Sequence, residues 1–263
     1  MKISIVTAYI NRRELFIHTL KTIAKSKHTD FEFIVVDDGS DPAERLEDLI
    51  LTFPFLKIIR LEKKDKWYMN PCIPFNLGIA QATGDAIILQ NPECLHTTDI
   101  LTYVNQHISD DVYLSFAAYA TDELTSELVR RKINMLGFPI WFNMLPQKPF
   151  SKGMGWYNHS KFRPVGYHFC GAISKSNMNK LGGFDERYAP GYAFDDDELV
   201  CRIKRLGIEF RFVDKYPVIH QHHGKGYNPD PITLRRALER NKALFEQTKK
   251  EDTVKVFNRY ATE

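Results

Sequence analysis

The sequence predicts an α/β protein with a mostly parallel central sheet flanked by helices. Two patterns lead to that class. Short apolar, β-branched runs alternate with stretches whose apolar residues recur at helical spacing through the first half of the chain. That order builds a parallel sheet with helices on its faces. Polar residues also gather just after several apolar runs, as Thr7-Ala8-Tyr9, Asp37-Asp38 and Gln90-Asn91-Pro92-Glu93. An open α/β sheet binds its ligand there, beyond the carboxyl ends of its strands.

The elements follow in order. Residues 2–7 are apolar and β-branched, and read as a strand. Residues 13–25 carry Leu15, Phe16, Thr19, Leu20 and Ile23 at helical spacing. Residues 31–36 form a second strand, stopped by Asp37-Asp38-Gly39-Ser40-Asp41-Pro42. Asp41 as N-cap and Pro42 at the first position predict a helix over 43–51. A third strand spans 56–61. A helix over 74–82 ends at Gly84, and a fourth strand covers 86–89. Residues 98–108 and 112–117 continue the alternation. Residues 137–167, rich in Pro, Gly and aromatics, read as a long ordered loop or lid over a site. A strand at 169–174, helices at 176–181 and 195–206, strands at 209–213 and 218–220, and a polar helical tail from Pro231 complete the chain.

Composition narrows the function classes. With 263 residues, the chain is long enough for one large domain with a sizeable core. Its 36 basic and 33 acidic residues give a net charge of +3, which offers no basic stripe for nucleic acid. No apolar run approaches the roughly 18–20 residues of a spanning helix. Met1 leads into a strand rather than a signal h-region. The expectation is a cytoplasmic protein without a transmembrane segment. Cys72, Cys94, Cys170 and Cys201 are scattered, with no Cys-x-x-Cys pair to hold structural zinc. No glycine-rich turn follows the first strand and no P-loop is present, which excludes a nicotinamide dehydrogenase and a P-loop NTPase.

Three segments carry a resemblance. A strand ending in Thr7-Ala8-Tyr9, followed by Phe33-Ile34-Val35-Val36-Asp37-Asp38-Gly39-Ser40-Asp41-Pro42, resembles the opening of a GT-A glycosyltransferase of family 2. The run from Asn76 through Gly78, Ala80, Ala82 and Gly84 to Asp85 is similar to the helix before that family's metal motif. Gly182-Gly183-Phe184-Asp185-Glu186, followed by Asp195-Asp196-Asp197-Glu198-Leu199, resembles the acceptor-side segment of the family and of related galactosyltransferases. The match runs in order from about residue 2 to 223.

The resemblance implies a GT-A (nucleotide-diphospho-sugar transferase) domain over residues 1–225 and a C-terminal helical tail, 226–263, packed on it or extending from it. Thr7, Ala8 and Tyr9 would line the uracil and ribose pocket, with Asp38 or Asp37 on the base. Asn76, Gln90 and Asn91 would also lie on the donor side. The Asp-x-Asp motif falls at Gln90–Glu93, where Gln90 and Pro92 replace acids and only Glu93 is a carboxylate. Mn2+ or Mg2+ would then rest on Glu93 with His220 or His222, from a cluster that also holds His223.

The same comparison places the general base at Asp196, with Asp195 beside it. Trp156, Tyr157 and Asp197 would contact the acceptor. The base must reach the acceptor hydroxyl at about 2.6–3.2 Å, and in-line attack inverts the anomeric carbon. The leaving diphosphate needs metal or positive groups, and Lys63, Lys64 and Lys66 follow the third strand. The expected partners are a UDP-sugar donor and a glycan, lipid-linked sugar or protein acceptor, with a homo-oligomer possible. The rival reading is a catalytically degenerate nucleotide-sugar- or glycan-binding protein, suggested by the lost acids. A sugar-nucleotide pyrophosphorylase is opposed by the absence of glycine over residues 7–14.

Overall fold

A computed structural model describes residues 1–224 and 229–260. The chain runs β1 (Ile3–Tyr9), α1 (Arg13–Ile23), β2 (Phe31–Asp38), β3 (Leu56–Leu61), α2 (Cys72–Gln81), β4 (Ala86–Gln90), β5 (Cys94–His96), α3 (Ile100–His107) and β6 (Val112–Ala120). It continues through α4 (Glu123–Lys132), α5 (Phe138–Asn143), β7 (Gly155–Asn158), β8 (Cys170–Ser174), α6 (Lys175–Leu181), α7 (Asp195–Arg205), β9 (Glu209–His220) and α8 (Pro231–Thr248). Among the described residues, nine strands form one sheet in the order β3-β2-β1-β4-β8-β6-β9-β5, with β7 on β6.

The parallel sheet foreseen from the alternation is the β3-β2-β1-β4 half. Beyond it the sheet is mixed. β8 runs antiparallel to both β4 and β6, β5 to β9, and β7 to β6, while β6 and β9 are parallel. The switch places the ends of β1, β2 and β4 opposite the start of β8, and so defines one cleft.

The core sits in layers on the two faces of the sheet, because successive strand residues point to opposite sides. Ile3, Ile5, Phe33, Val35, Ala86 and Ile88 face α1 and α3, with Phe16, Leu20, Ile100 and Val104. Val6, Ile34, Ile87 and Leu89 face α2, α6 and α7, with Ile79, Met178 and Ile203. Each fully buried aliphatic side chain contributes about 1.5–3 kcal/mol relative to exposure. α2 lies so close to the sheet that a methyl at Gly78 would sit 2.5 Å from Val6 Cγ1, which is why that helix carries glycine at this turn.

Four segments depart from the sequence expectation. Residues 43–51 form two short 3₁₀ turns, Pro42–Glu44 and Glu47–Leu51. Few of their residues are buried, so nothing extends them into an α-helix. Residues 137–167 are not one lid. They contain α5 and β7, and β7 adds to the sheet through β6. α4 has an Asp122 N-cap that accepts from Thr125 N, a signal present in the sequence. β9 is one strand of 12 residues whose pairing with β6 shifts register between Phe116 and Ala118; Asp214-Lys215-Tyr216-Pro217 interrupts the apolar pattern there, so its two halves read as separate strands. The C-terminal tail is held by α8. Asn241 is fully buried, and its amide donates to Tyr188 O at 3.1 Å and Ala193 O at 2.9 Å.

Candidate active site

A cleft of about 400 Å3 opens at the carboxyl ends of β1, β2 and β4, lined among others by Ala8, Tyr9, Asp38, Lys66, Asn91, His168, Asp196 and His223. Its walls come from three places in the sequence, and each follows from local chemistry.

The first wall is the end of the parallel half. Asp38 lies in the cleft, where the Tyr68 hydroxyl donates to it at 2.5 Å and Lys66 Nζ donates to its other oxygen. Burial raises the Asp38 carboxyl above its usual value, with Lys66 and Tyr68 opposing. Asp37, its neighbour on a strand, points the other way. It accepts from Ser40 N at 2.9 Å and from Arg60 at 3.0 Å, and belongs to the turn rather than the cleft. Ala8 and Tyr9 reach the cleft wall, but Thr7 is buried behind them. The Tyr9 hydroxyl is committed to Glu44 O at 2.7 Å.

Two further donor-side expectations are corrected by the packing. Asn76 is fully buried. Its side chain donates to Phe184 O at 2.9 Å and accepts from Phe184 N at 2.7 Å, tying α2 to the Gly183-Phe184 turn. Gln90 is also buried: it donates to Cys94 O at 3.0 Å and meets His96 Nε2 at 2.7 Å. The first position of the acidic motif therefore serves the sheet. Asn91 does line the cleft.

The second wall is a charged cluster around Glu93, which is 1% exposed. Its Oε2 accepts from Arg12 at 2.9 Å, and its Oε1 lies 2.9 Å from His220 Nε2 and 3.2 Å from His223 Nε2. Burial alone would raise this carboxyl. Arg12 and the two imidazoles outweigh it and hold the group well below the usual carboxylate range. One ligand atom each from Glu93, His220 and His223 lie within 4.8 Å of one another. A carboxylate with two imidazoles is a donor set that suits Mn2+ and similar ions. His222, the alternative expected from sequence, is exposed. Its backbone N donates to Ser126 Oγ at 2.6 Å, which turns the chain so that His223 comes inward instead.

The third wall is the start of α7. Ala193 and Phe194 have φ of 59° and 67°, a left-handed conformation costly for such residues. Asn241 holds the Ala193 carbonyl, and Phe194 packs on Phe245 of α8 at 5.7 Å. The strained turn delivers three consecutive acids, each to a different partner. Asp195 is buried, accepts from Asn70 at 2.7 Å, and is pushed up to about 6 by burial and by the charge of Asp196. Asp196 faces the cleft and contacts His168, whose ring Nδ1 meets it and whose backbone N donates at 3.3 Å. The ring of His168 is packed edge-on against Phe75 and Phe184. Burial lowers its pKa, but the Asp196 carboxylate more than reverses this. Asp197 accepts from the Tyr167 hydroxyl at 2.6 Å and is directed away from the cleft lining.

The expected aromatic acceptor contacts divide. Trp156 is 4% exposed, sits edge-on to Tyr119 and Phe142, and donates its indole N–H to Gln147 at 3.1 Å. It is core, because β7 belongs to the sheet. Tyr157 stacks on Phe169 and meets His220 edge-on, next to the Glu93 cluster. Tyr192 and Met69 are cleft residues that the sequence did not single out. Arg12, Asn70, His168 and Asn241 were also missed. Arg12 follows the first strand by three residues, and that position was its only signal.

The glycosyl transferase family 2 model matches residues 4–169. No curated protein matches the chain. Among solved structures, the chain is similar to the mannosyltransferase PcManGT from Pyrobaculum calidifontis in complex with GDP-Man and Mn2+, at 15% identity and a TM-score of 0.58, covering 94% of this chain and 64% of that one. It is also similar to S. aureus TarS 1-349 in complex with UDP-GlcNAc, at 16% identity and a TM-score of 0.61, covering 94% of this chain and 66% of that one. The chain thus spans just under two thirds of the length of each. With the match over residues 4–169 and this sheet, the chain belongs to glycosyl transferase family 2 and adopts the GT-A fold.

Proposed function

We propose that this protein transfers a sugar from a UDP-sugar to an acceptor hydroxyl with inversion, Asp196 acting as general base. The observation that carries the reading is that Asp38, Asp196 and His223 of the Glu93 cluster line one cleft. Asp38 is placed to accept from the imide N–H of uracil, because its oxygens keep acceptor capacity beyond Lys66 and Tyr68. Family membership and the nucleotide sugars in the two similar structures support a nucleotide-sugar donor.

The acceptor hydroxyl gives its proton to Asp196 as its oxygen bonds to the anomeric carbon. The bond from that carbon to the diphosphate breaks on the opposite face, and the pair of electrons leaves with the diphosphate. His168 holds the Asp196 carboxylate in place and compensates its charge in a buried setting. Glu93, His220 and His223 are the residues to hold a divalent ion, which when bound supplies positive charge to the leaving group. Arg12 and Lys66 add fixed positive charge to the same cleft. Asn70 and Asn241 keep the acidic turn in register.

One observation favours the rival, a nucleotide-sugar-binding protein without turnover: Gln90 serves the sheet instead of the site. Sugar transfer assayed with the original chain separates the two readings, since the rival expects nucleotide-sugar binding without turnover; Glu93→Gln tests the metal site. The transferase reading expects Mn2+ affinity, read directly by calorimetry, to fall by about tenfold or more, the scale on which groups around metal sites act. Transfer falls with it. An unchanged Mn2+ titration removes Glu93 from the metal site.

A further inference from the structure

The turn after α4, one side of α5 and the residue that follows it present an apolar face that nothing among the described residues covers. Leu136 is 101% exposed, Ile140 72% and Met144 78%. They recur at i, i+4 and i+8, so they fall along one side of α5 and its flanks. This is not a poorly packed segment. The opposite side of α5 is fixed, with Phe138 and Phe142 buried against Tyr119, Trp156, Leu95 and Ile219.

The surrounding charge is one-sided. From residue 128 to 184 the sequence holds no Asp or Glu and nine Lys or Arg, of which Arg131 pairs with Glu127 just before that stretch. Arg131, Lys148 and Lys152 are exposed beside this face in the sequence, and Lys132 Nζ lies 5.8 Å over the ring of Trp141. Exposed aliphatic side chains, a half-buried Trp and lysines without acids match the boundary between acyl chains and anionic headgroups. No helix among the described residues is long and apolar enough to cross a membrane.

We infer that α5 and its flanks dock this protein on an anionic lipid surface as a peripheral anchor. The anchor is tied to the site by structure. α4 and α5 pack on β5 and β9, the strands that follow Glu93 and precede His223. Thr121 N and its hydroxyl both donate to His220 O, at 3.1 and 3.3 Å. Docking would thus fix the cleft at a set height above a lipid surface. The inference does not depend on the chemistry proposed for the cleft.

The test is vesicle flotation of the whole chain, at low and moderate salt, with phosphatidylcholine alone and with phosphatidylglycerol added. Partition is expected to be about tenfold or more tighter on the anionic vesicles, and to weaken with salt. Leu136→Glu with Ile140→Glu is expected to lower it about tenfold or more, since both the apolar contact and the charge balance change. A second variant, Lys148→Glu with Lys152→Glu, changes charge at exposed positions and is expected to abolish the preference for anionic vesicles. All four residues are exposed or nearly so, so unchanged melting confirms an intact fold. The inference is overturned if the folded protein ignores both vesicle types, or if the apolar variant floats as well as the original. It is equally overturned if the chain is a dimer that the apolar variant splits, since a second copy would then own this face.

Discussion

Asp196→Asn is expected to slow sugar transfer by about 10²–10⁴-fold, the usual worth of a positioned general base. Donor affinity is expected to change little, because the proposed mechanism gives the nucleotide and diphosphate ends to Asp38 and the Glu93 cluster. The amide keeps the size of the side chain and its contact with His168 N, so the loss is of proton acceptance and of the charge paired with the His168 ring, and not of shape. Asp195→Asn provides the contrast. Asp195 is buried, raised to about 6, and accepts from the Asn70 amide, an acceptor role that an asparagine oxygen at the same position keeps. Its amide variant is expected to retain most of the activity if folding is intact. Steady-state rates for the two variants, with donor affinity measured separately, check this. Near-normal turnover in Asp196→Asn would take the role of base away from that residue.

Arg202→Met is expected to destabilise the fold by about 3–5 kcal/mol. Arg202 is fully buried and pairs with Glu198 through two bonds of 2.5 and 2.7 Å, and it donates to Leu181 O at 2.8 Å. The variant leaves Glu198 charged and alone between α6 and α7. For a domain of this size the expected fall in Tm is roughly 10 °C. The double variant Glu198→Gln, Arg202→Met is expected to recover part of it, because the penalty comes from the orphaned charge. Thermal melts of the single and double variants read this. Equal melting temperatures for the original and Arg202→Met would mean that the pair carries no such weight.

The parts legible in the sequence were those written in local pattern. The strands at residues 2–7, 31–36, 56–61 and 86–89 were readable because apolar β-branched runs stop at polar turns, and β1 to β4 lie there. The Gly-Gly-Phe and triple-acid spacing singled out Asp196, which lies on the cleft; its role as base is the proposal above. What failed were features decided by tertiary contact. Gln90, Asn76 and Trp156 carry residue types suited to a site, but packing turns each into the interior. His222 and His223 are neighbours, and which one meets Glu93 depends on tertiary bonds of the backbone beside them, from His222 N to Ser126 and from Gln221 to Glu93 O. His168 and Asn241 gave no signal, since their meaning lies 28 residues from Asp196 and 48 from Ala193 in sequence.

The proposed function stands on this cleft binding a nucleotide diphosphate sugar with help from a divalent ion. The most direct measurement is thermal melting of the whole chain with UDP, GDP, CDP and several UDP-sugars, each with and without Mn2+. A ligand that binds only the folded state raises Tm by mass action, by about 2.7 kcal/mol of stability at a hundredfold excess over Kd. A rise is expected with UDP, growing when Mn2+ is present and larger with one UDP-sugar than with the rest. No rise with any nucleotide, with or without Mn2+, would contradict it.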